Sequence, residues 1–261
     1  ERLVEEALVH AEALFHSDVS RPYFLYHRQR YKDMALHVAS RYADSGLGGL
    51  RVLDIGSHLL HFSTVLKLLG AEPVGLDVPV FTELQQVLEL GGRLAIPNHT
   101  IESLETDLRR FLEDKSYDLI VFSEILGHIT FNPRTMWEAM LAAVPPGRIL
   151  VTTPNAFTLH KLPGYLARMV SFGGYGIKVQ EILTIPTYGH HWKEYSVKEL
   201  RHYFRLLGPR FHAEVFTVAG RDAFEGSPLA GALRGLLIGI SNRLPLLRFQ
   251  IFCWVEEKAG G

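Results

Sequence analysis

The sequence predicts an α/β fold, a mostly parallel seven-stranded sheet with helices on both faces. Residues 51–56 (RVLDIG) form a short apolar run ending in an acid and a glycine, and Leu60, Val65, Leu66 and Leu69 then recur at helical spacing. That reads as strand, tight turn, helix. A second apolar run ending in an acid, 73–77 (PVGLD), places Asp77 23 residues after Asp54. Beyond it, strand-like runs alternate with helical periods, the pattern of parallel strands joined by crossover helices.

In chain order, residues 1–16 put Leu3, Ala7, Ala11 and Leu14 on one helical stripe, with glutamates early where the helix dipole favours them. A second helix is expected over 23–43. Its first half gathers Tyr23, Phe24, Tyr26, His27, Arg28, Arg30, Tyr31 and Lys32, which suits either an amphipathic helix over the sheet or a lid closing on a ligand. Residues 1–46 are thus expected to be an N-terminal helical cap and 47–258 the α/β domain. Strands are expected at 51–56, 73–78, 93–97, 117–123, 147–153, 211–218 and 248–256, with helices at 60–69, 81–90, 102–113 and 133–144. Residues 156–192 break the rhythm with scattered Gly and Pro, and are read as an inserted, substrate-side loop. Ser196 and Glu199 have the spacing of a capping box opening the helix SVKELRHYFRLLG.

A chain of 261 residues can bury one large core without disulfides or a structural metal. Its 27 Lys and Arg against 28 Asp and Glu leave a formal charge of −1, which gives no basis for nucleic-acid binding. The single Cys253 lies in an apolar run, as a buried thiol would, and fits a reducing cytoplasm. No apolar stretch approaches the roughly 20 residues of a membrane span, and the acidic start does not resemble a signal peptide, so a soluble cytoplasmic protein is expected. Thirteen histidines occur without H-x-x-x-H or H-E-x-x-H spacing alongside carboxylates, and no metal is expected.

The tips of strands in an open α/β sheet face helix N-termini with unpaired N–H groups, and an acid about 20 residues past the first turn is placed to take ribose hydroxyls. A nucleoside cofactor follows. The segments VLDIGSHLLHFS (52–63), GLDV (75–78), YDLIVFSEILGHI (117–129), VPPGRILVTTPN (144–155) and HHWKEYSVKELRHYFRLLG (190–208) occur in the order and spacing of a known family. They resemble the motifs of class I S-adenosylmethionine-dependent methyltransferases, in the branch acting on sugars, quinones and natural products. The likeness covers roughly residues 48–257.

The resemblance implies a Rossmann-like domain and S-adenosyl-L-methionine as cofactor. It implies cofactor contacts from Asp54, Gly56, Ser57, His58, Asp77, Val78, Glu102, Ser123 and Glu124, with Asp77 on the ribose and Asp54 near the ammonium group. The expected acceptor is a small hydroxylated metabolite, deprotonated by one of His128, His190 or His191. Tyr23, Tyr26, Arg28, Tyr31, Asn155 and Trp192 are expected to contact it by stacking or charge. Two departures stand out: His58 and Leu60 occupy places where the family has glycine, and Gly127 replaces a glutamate. Either the first loop is rebuilt or the site has decayed into a non-catalytic binding protein. N-methylation would need no base. A nicotinamide oxidoreductase would share the Gly56 turn and Asp77, but G-x-G-x-x-G is absent. The apolar, basic stretch 226–247, with Leu229, Leu233, Leu236, Leu237 and Ile240, is expected to bury against the sheet or a dimer partner; an interfacial anchor or an apolar acceptor site are the alternatives.

Overall fold

The computed structural model describes the chain except residues 145–146, 172–176, 178, 185–188, 221–227 and 259–261, and the backbone alone at 179, 181 and 228–230. Pro145 and Pro146 of the expected Pro-Gly turn, Gly173, Gly174, Gly176 and Pro186 of the expected loop, and the side chain of Leu229 lie outside the described residues. Seven strands form one sheet: β1 (Arg51–Ile55), β2 (Glu72–Asp77), β3 (Asn98–Thr100), β4 (Leu119–Ser123), β5 (Arg148–Pro154), β6 (Phe211–Val218) and β7 (Gln250–Glu257). Their order is β3-β2-β1-β4-β5-β7-β6. By contacts the chain divides into two compact units, Glu1–Phe122 with Pro133–Ile149, and Ser123–Asn132 with Leu150–Gly261.

In the first unit β1 pairs in parallel with β2 and with β4, and β2 pairs in parallel with β3. The order therefore reverses at β1, the kind of switch point whose strand tips open a crevice. Leu53, Leu119, Ile120 and Phe122 are buried, as the continuous apolar runs of a sheet covered on both faces require. Around these strands lie α1 (Arg2–Glu12), α2 (Ser20–Arg41), α3 (His61–Leu68), α4 (Pro79–Thr82), α5 (Gln85–Leu94), α6 (Leu108–Leu112) and α7 (Arg134–Ala142). Helices α1 and α2 pack on each other and on α3.

Four expectations in this unit are corrected. The buried stripe of α1 is Val4, Ala7, Leu8 and Ala11, while Leu3 points outward. The helix expected at 81–90 is two, because Leu84 is extended (ψ 128°) between α4 and α5. Residues 93–97 are not a strand: α5 runs on to Leu94, stops where Ala95 turns left-handed (φ 51°), and β3 begins only at Asn98 opposite Gly75. Residues 102–107 are not helical, because the Asp107 carboxylate accepts the N–H groups of Glu102 and Ser103, both at 3.0 Å, and folds them into a turn ahead of α6.

The second unit carries the antiparallel pair β6 and β7, with Phe252, Cys253 and Trp254 buried. Burial pushes the Cys253 thiol up. Its helices are α8 (Leu162–Val170), α9 (Val179–Thr184), α10 (Val197–Leu207) and α11 (Pro228–Arg243). The capping box is present: the Glu199 N–H donates to Ser196 Oγ at 3.1 Å, and the Ser196 N–H to Glu199 Oε2 at 2.9 Å. The insertion is only in part a loop, since α8 and α9 occupy it. Within this chain Leu233 and Leu236 of 226–247 are not buried against the sheet. Ile238 and Ser241 of α11 face inward, with Ser241 Oγ accepting the Leu159 N–H at 2.8 Å, while Leu233, Leu236 and Ile240 are exposed.

Candidate functional site

The first unit builds a loop at the tip of β1. Gly56 has φ 72°, and the N–H groups of Gly56 and Ser57 reach back to the Leu76 carbonyl at 2.8 and 3.4 Å. His58 (φ 49°) and Leu60 (φ 59°) are also left-handed. Two side chains thus occupy the backbone conformation that glycine adopts freely, at a cost of about 1–2 kcal/mol each. Leu60 is fully buried, and a Cβ added at Gly75 of β2 would lie 2.8 Å from Leu60 Cδ2, 2.4 Å from Asn98 Oδ1 and 2.9 Å from Ser57 Oγ. Gly75 thus leaves the space that Leu60 takes.

Two carboxylates stand beside this loop. Asp77, at the end of β2, accepts the His58 N–H at 2.6 Å on one oxygen and the Val78 N–H at 2.7 Å on the other, and burial pushes its carboxyl up. Asp54 is 3 % exposed and accepts from Ser63 Oγ at 2.6 Å. Burial pushes it up to about 7. The His58 ring packs on Phe81 (4.3 Å between centroids) and on Tyr23 (4.6 Å), and Tyr23 in turn packs on His27 (4.4 Å). His61 lies edge-on to Phe15 at 4.3 Å with its Nε2 2.9 Å from Ser20 Oγ. Burial, reinforced by Arg30, lowers His58 to about 4, while burial and His58 lower His61 to about 3.

The second unit holds the segment after β4. Glu124 is left-handed (φ 62°), its N–H donates to the Thr152 carbonyl, and its Oε1 accepts from Thr152 Oγ1, both at 2.9 Å. Ser123 Oγ lies 2.8 Å from the same hydroxyl. His128 ends a 3-10 turn, Leu126–His128, and its ring centroid is 4.3 Å from that of His191. Burial and the neighbouring His191 lower His128 to about 4, against the opposing pull of the His190 and Glu124 backbone. The carbonyl of Gly127 accepts the N–H groups of Trp192 and Lys193 at 2.8 and 3.2 Å. A Cβ at Gly127 would sit 3.0 Å from the Lys193 carbonyl and 3.3 Å from His191 Nδ1. A side chain at 127 would therefore press on the segment that carries His191.

The family model described as methyltransferase domain matches residues 25–225. The chain belongs to the methyltransferase-domain family. Its fold is similar to that of a cyclopropane-fatty-acyl-phospholipid synthase-like protein from Lactobacillus casei, at 15% identity over 97% of this chain and 99% of the other, with a TM-score of 0.60. It is also similar to magnesium protoporphyrin IX methyltransferase from Synechocystis, solved with bound SAH (15% identity, 93% and 89% covered, TM-score 0.53). A third likeness is to a plantazolicin methyltransferase solved with SAH and a desmethyl substrate analogue (16% identity, 98% of both chains, TM-score 0.54). No curated protein matches the chain.

Class I members of this methyltransferase family use S-adenosylmethionine, and the residues of the first unit fit it. Each Asp77 oxygen has one N–H donor and keeps a lone pair for a ribose hydroxyl. Asp54 is a buried carboxylate whose single side-chain donor is Ser63, an arrangement that an ammonium group would ionise. Asn98 Nδ2 is buried without a protein partner beside Ser57 Oγ, which lies 3.3 Å from Asn98 Oδ1. The sequence does not single out Asn98, because its apolar pattern predicts the strand at 93–97, ahead of the observed β3. Val78 is the extended N-cap of α4, with Pro79 at its first position.

Several expected contacts are corrected. Glu102 is exposed in the turn that Asp107 organises. Tyr31 is buried, stacked on Phe24 and Phe62 at 5.5 and 6.1 Å, so it belongs to the core of the methyltransferase and does not face an acceptor. Arg28 is paired with Glu5 at 2.7 Å, its charge directed at α1. Asn155 is fully buried, donating to the Leu246 and Arg248 carbonyls at 3.0 and 2.9 Å and accepting the Phe157 N–H at 3.0 Å, which consumes the amide as a clamp on the main chain. His190 is 3 % exposed, edge-on to Trp192. Tyr23, Tyr26, His191 and Trp192 remain accessible. Among the described residues no cluster of His, Cys, Asp and Glu could hold a metal, and no helix is long and apolar enough to cross a membrane.

Proposed function

We propose that this methyltransferase moves the methyl group of S-adenosylmethionine to a hydroxyl of a small metabolite such as a sugar, a nucleotide-linked sugar or a natural product. The supporting observation is the His128–His191 ring pair, 4.3 Å apart, in the segment that Glu124 and Thr152 tie down. When bound, the cofactor supplies a methyl carbon on a sulfonium, and the chain's own task is to align the hydroxyl and take its proton. His128, lowered to about 4, is neutral at pH 7 but a weak base, whereas His191 is exposed. In this reading His191 takes the proton, and His128, anchored by the backbone around it, positions that ring. Residues 1–46 act as a cap in which Tyr23 and Tyr26 are exposed rings, and Trp192 is an exposed ring of the second unit. The buried Cys253 thiol suits a reducing cytoplasm.

The test is turnover with methyl-labelled S-adenosylmethionine across a panel of sugars, nucleotide sugars and phenols, beside calorimetric cofactor binding. His191→Ala should lower kcat roughly 10²–10⁴-fold and leave cofactor affinity unchanged; undiminished turnover in the His128→Ala, His191→Ala double variant sinks the assignment. A second reading, cofactor binding without turnover, is favoured by the His58 ring wedged on Tyr23 and Phe81 beside Asp77. Binding with no methylated product on any acceptor class would select it.

A further inference from the structure

Helix α11 carries apolar side chains on its outward side as well as its inward one. Leu233, Leu236 and Ile240 are 55 %, 60 % and 37 % exposed, and Leu244 and Leu246 extend the same surface past its end. Their spacing of three and four residues makes one stripe along the helix. Helix α8 repeats the pattern: Leu162, Leu166, Met169 and Val170 are all exposed, and none of its residues is buried. The two helices share one anchor, because α8 continues from the turn Leu159–Lys161 on which α11 packs through Ser241. Apolar patches on this scale mark interaction surfaces.

The charge around them identifies the partner. Residues 156–180 contain no Asp or Glu but carry His160, Lys161, Arg168 and Lys178. Residues 226–255 likewise contain no acid and carry Arg234, Arg243 and Arg248. Two acid-free segments thus bear the exposed stripes; Arg248 turns its guanidinium to the Asn242 and Thr217 carbonyls at 3.2 and 3.4 Å, which leaves the positive charge at this surface to groups such as Arg168 and Arg243. Lys161 is answered by Glu194 at 2.7 Å, while Arg243 is exposed at the end of α11. Apolar stripes flanked by cations complement an anionic lipid surface, with leucines in the acyl boundary and arginines at the phosphates. A second copy of this face would set cation against cation. With 16 residues α11 is too short to span a bilayer.

We propose that α8 and α11 seat this protein on an anionic membrane surface, lying in the headgroup plane. The test is co-sedimentation of the full chain with phosphatidylcholine vesicles, with and without phosphatidylglycerol, alongside light scattering of the protein alone. Binding is expected only with phosphatidylglycerol and should weaken in high salt. Leu233→Glu with Leu236→Glu should reduce it by about tenfold or more, as should Leu166→Glu with Met169→Glu on α8, with the melting temperature unchanged because these side chains are already exposed. The two pairs lie on separate helices, so misfolding of one leaves the other to decide. No sedimentation of the wild type overturns the proposal, as does a wild-type dimer that the glutamate pairs convert to monomer without changing vesicle binding.

Discussion

The backbone N–H of His58 donates to the Asp77 carboxylate at 2.6 Å, so the acid at the tip of β2 holds the loop at the tip of β1. A residue expected to serve a cofactor therefore also maintains the left-handed turn in which His58 stands. Asp77→Ala removes both this bond and the one from Val78. Hydrogen bonds to an ionised group contribute roughly 1.5–3 kcal/mol, and affinity for S-adenosylmethionine or its demethylated product should fall at least tenfold by calorimetry. An unchanged affinity would remove Asp77 from the site.

Leu60 and Gly75 form a large-small pair, and exchanging either member should cost stability. Leu60→Gly relieves about 1–2 kcal/mol of left-handed strain but empties a fully buried site, which costs about 2–5 kcal/mol. Net destabilisation is expected in urea titration, with no gain in cofactor affinity. Gly75→Ala should destabilise as well, since its new Cβ meets Asn98, Leu60 and Ser57 within 3 Å. A marked rise in affinity on Leu60→Gly would show instead that the leucine obstructs the pocket.

Asp54 costs the fold stability when it is ionised. Its folded value, about 7, lies above the ordinary 3.8, so the folded state holds the proton more tightly. The associated stability is fully present below about 3.8 and is lost as pH rises through about 7. Asp54→Asn should therefore raise the melting temperature at pH 8, leave it nearly unchanged at pH 4, and weaken cofactor binding at pH 8. Melting curves that shift equally at both pH values would contradict the assignment.

His58 and His61 act in the opposite direction. Burial places both below the ordinary 6.5, at about 4 and 3, so their contribution is present above 6.5 and is lost as pH falls toward those values. The unfolded chain gains up to about 1.4 kcal/mol per pH unit for each such histidine. His61→Phe, placed among Phe15, Phe24 and Tyr31, should flatten the acid limb of the stability curve between pH 6 and 4, measured by urea titration at each pH. An unaltered slope would show that His61 does not carry it.

The strands at 51–55 and 72–77, their acids, the Ser196–Glu199 box and the family itself were legible because each depends on neighbours in sequence: an apolar run, a terminal acid, a hydroxyl three residues before a glutamate. The positions of Asp54 and Asp77 at strand ends could be read from the apolar runs that precede them. Pairing, burial and close approach could not. Whether Asn155 faces a ligand or clamps Leu246 and Arg248 depends on chain about 90 residues away, and composition says nothing about it. The stripe of α11 reads the same whether it is buried or exposed, and only the structure shows Ile238 and Ser241 inward with Leu233 and Leu236 outward. Gly127 reads in the sequence as a lost glutamate, and only the structure places the Lys193 carbonyl 3.0 Å from where its Cβ would lie. Local periodicity and motif spacing determine the elements and the family. The role of each polar side chain is decided by tertiary contact, because a hydrogen bond or a van der Waals clash acts over a few ångströms whatever the distance along the chain.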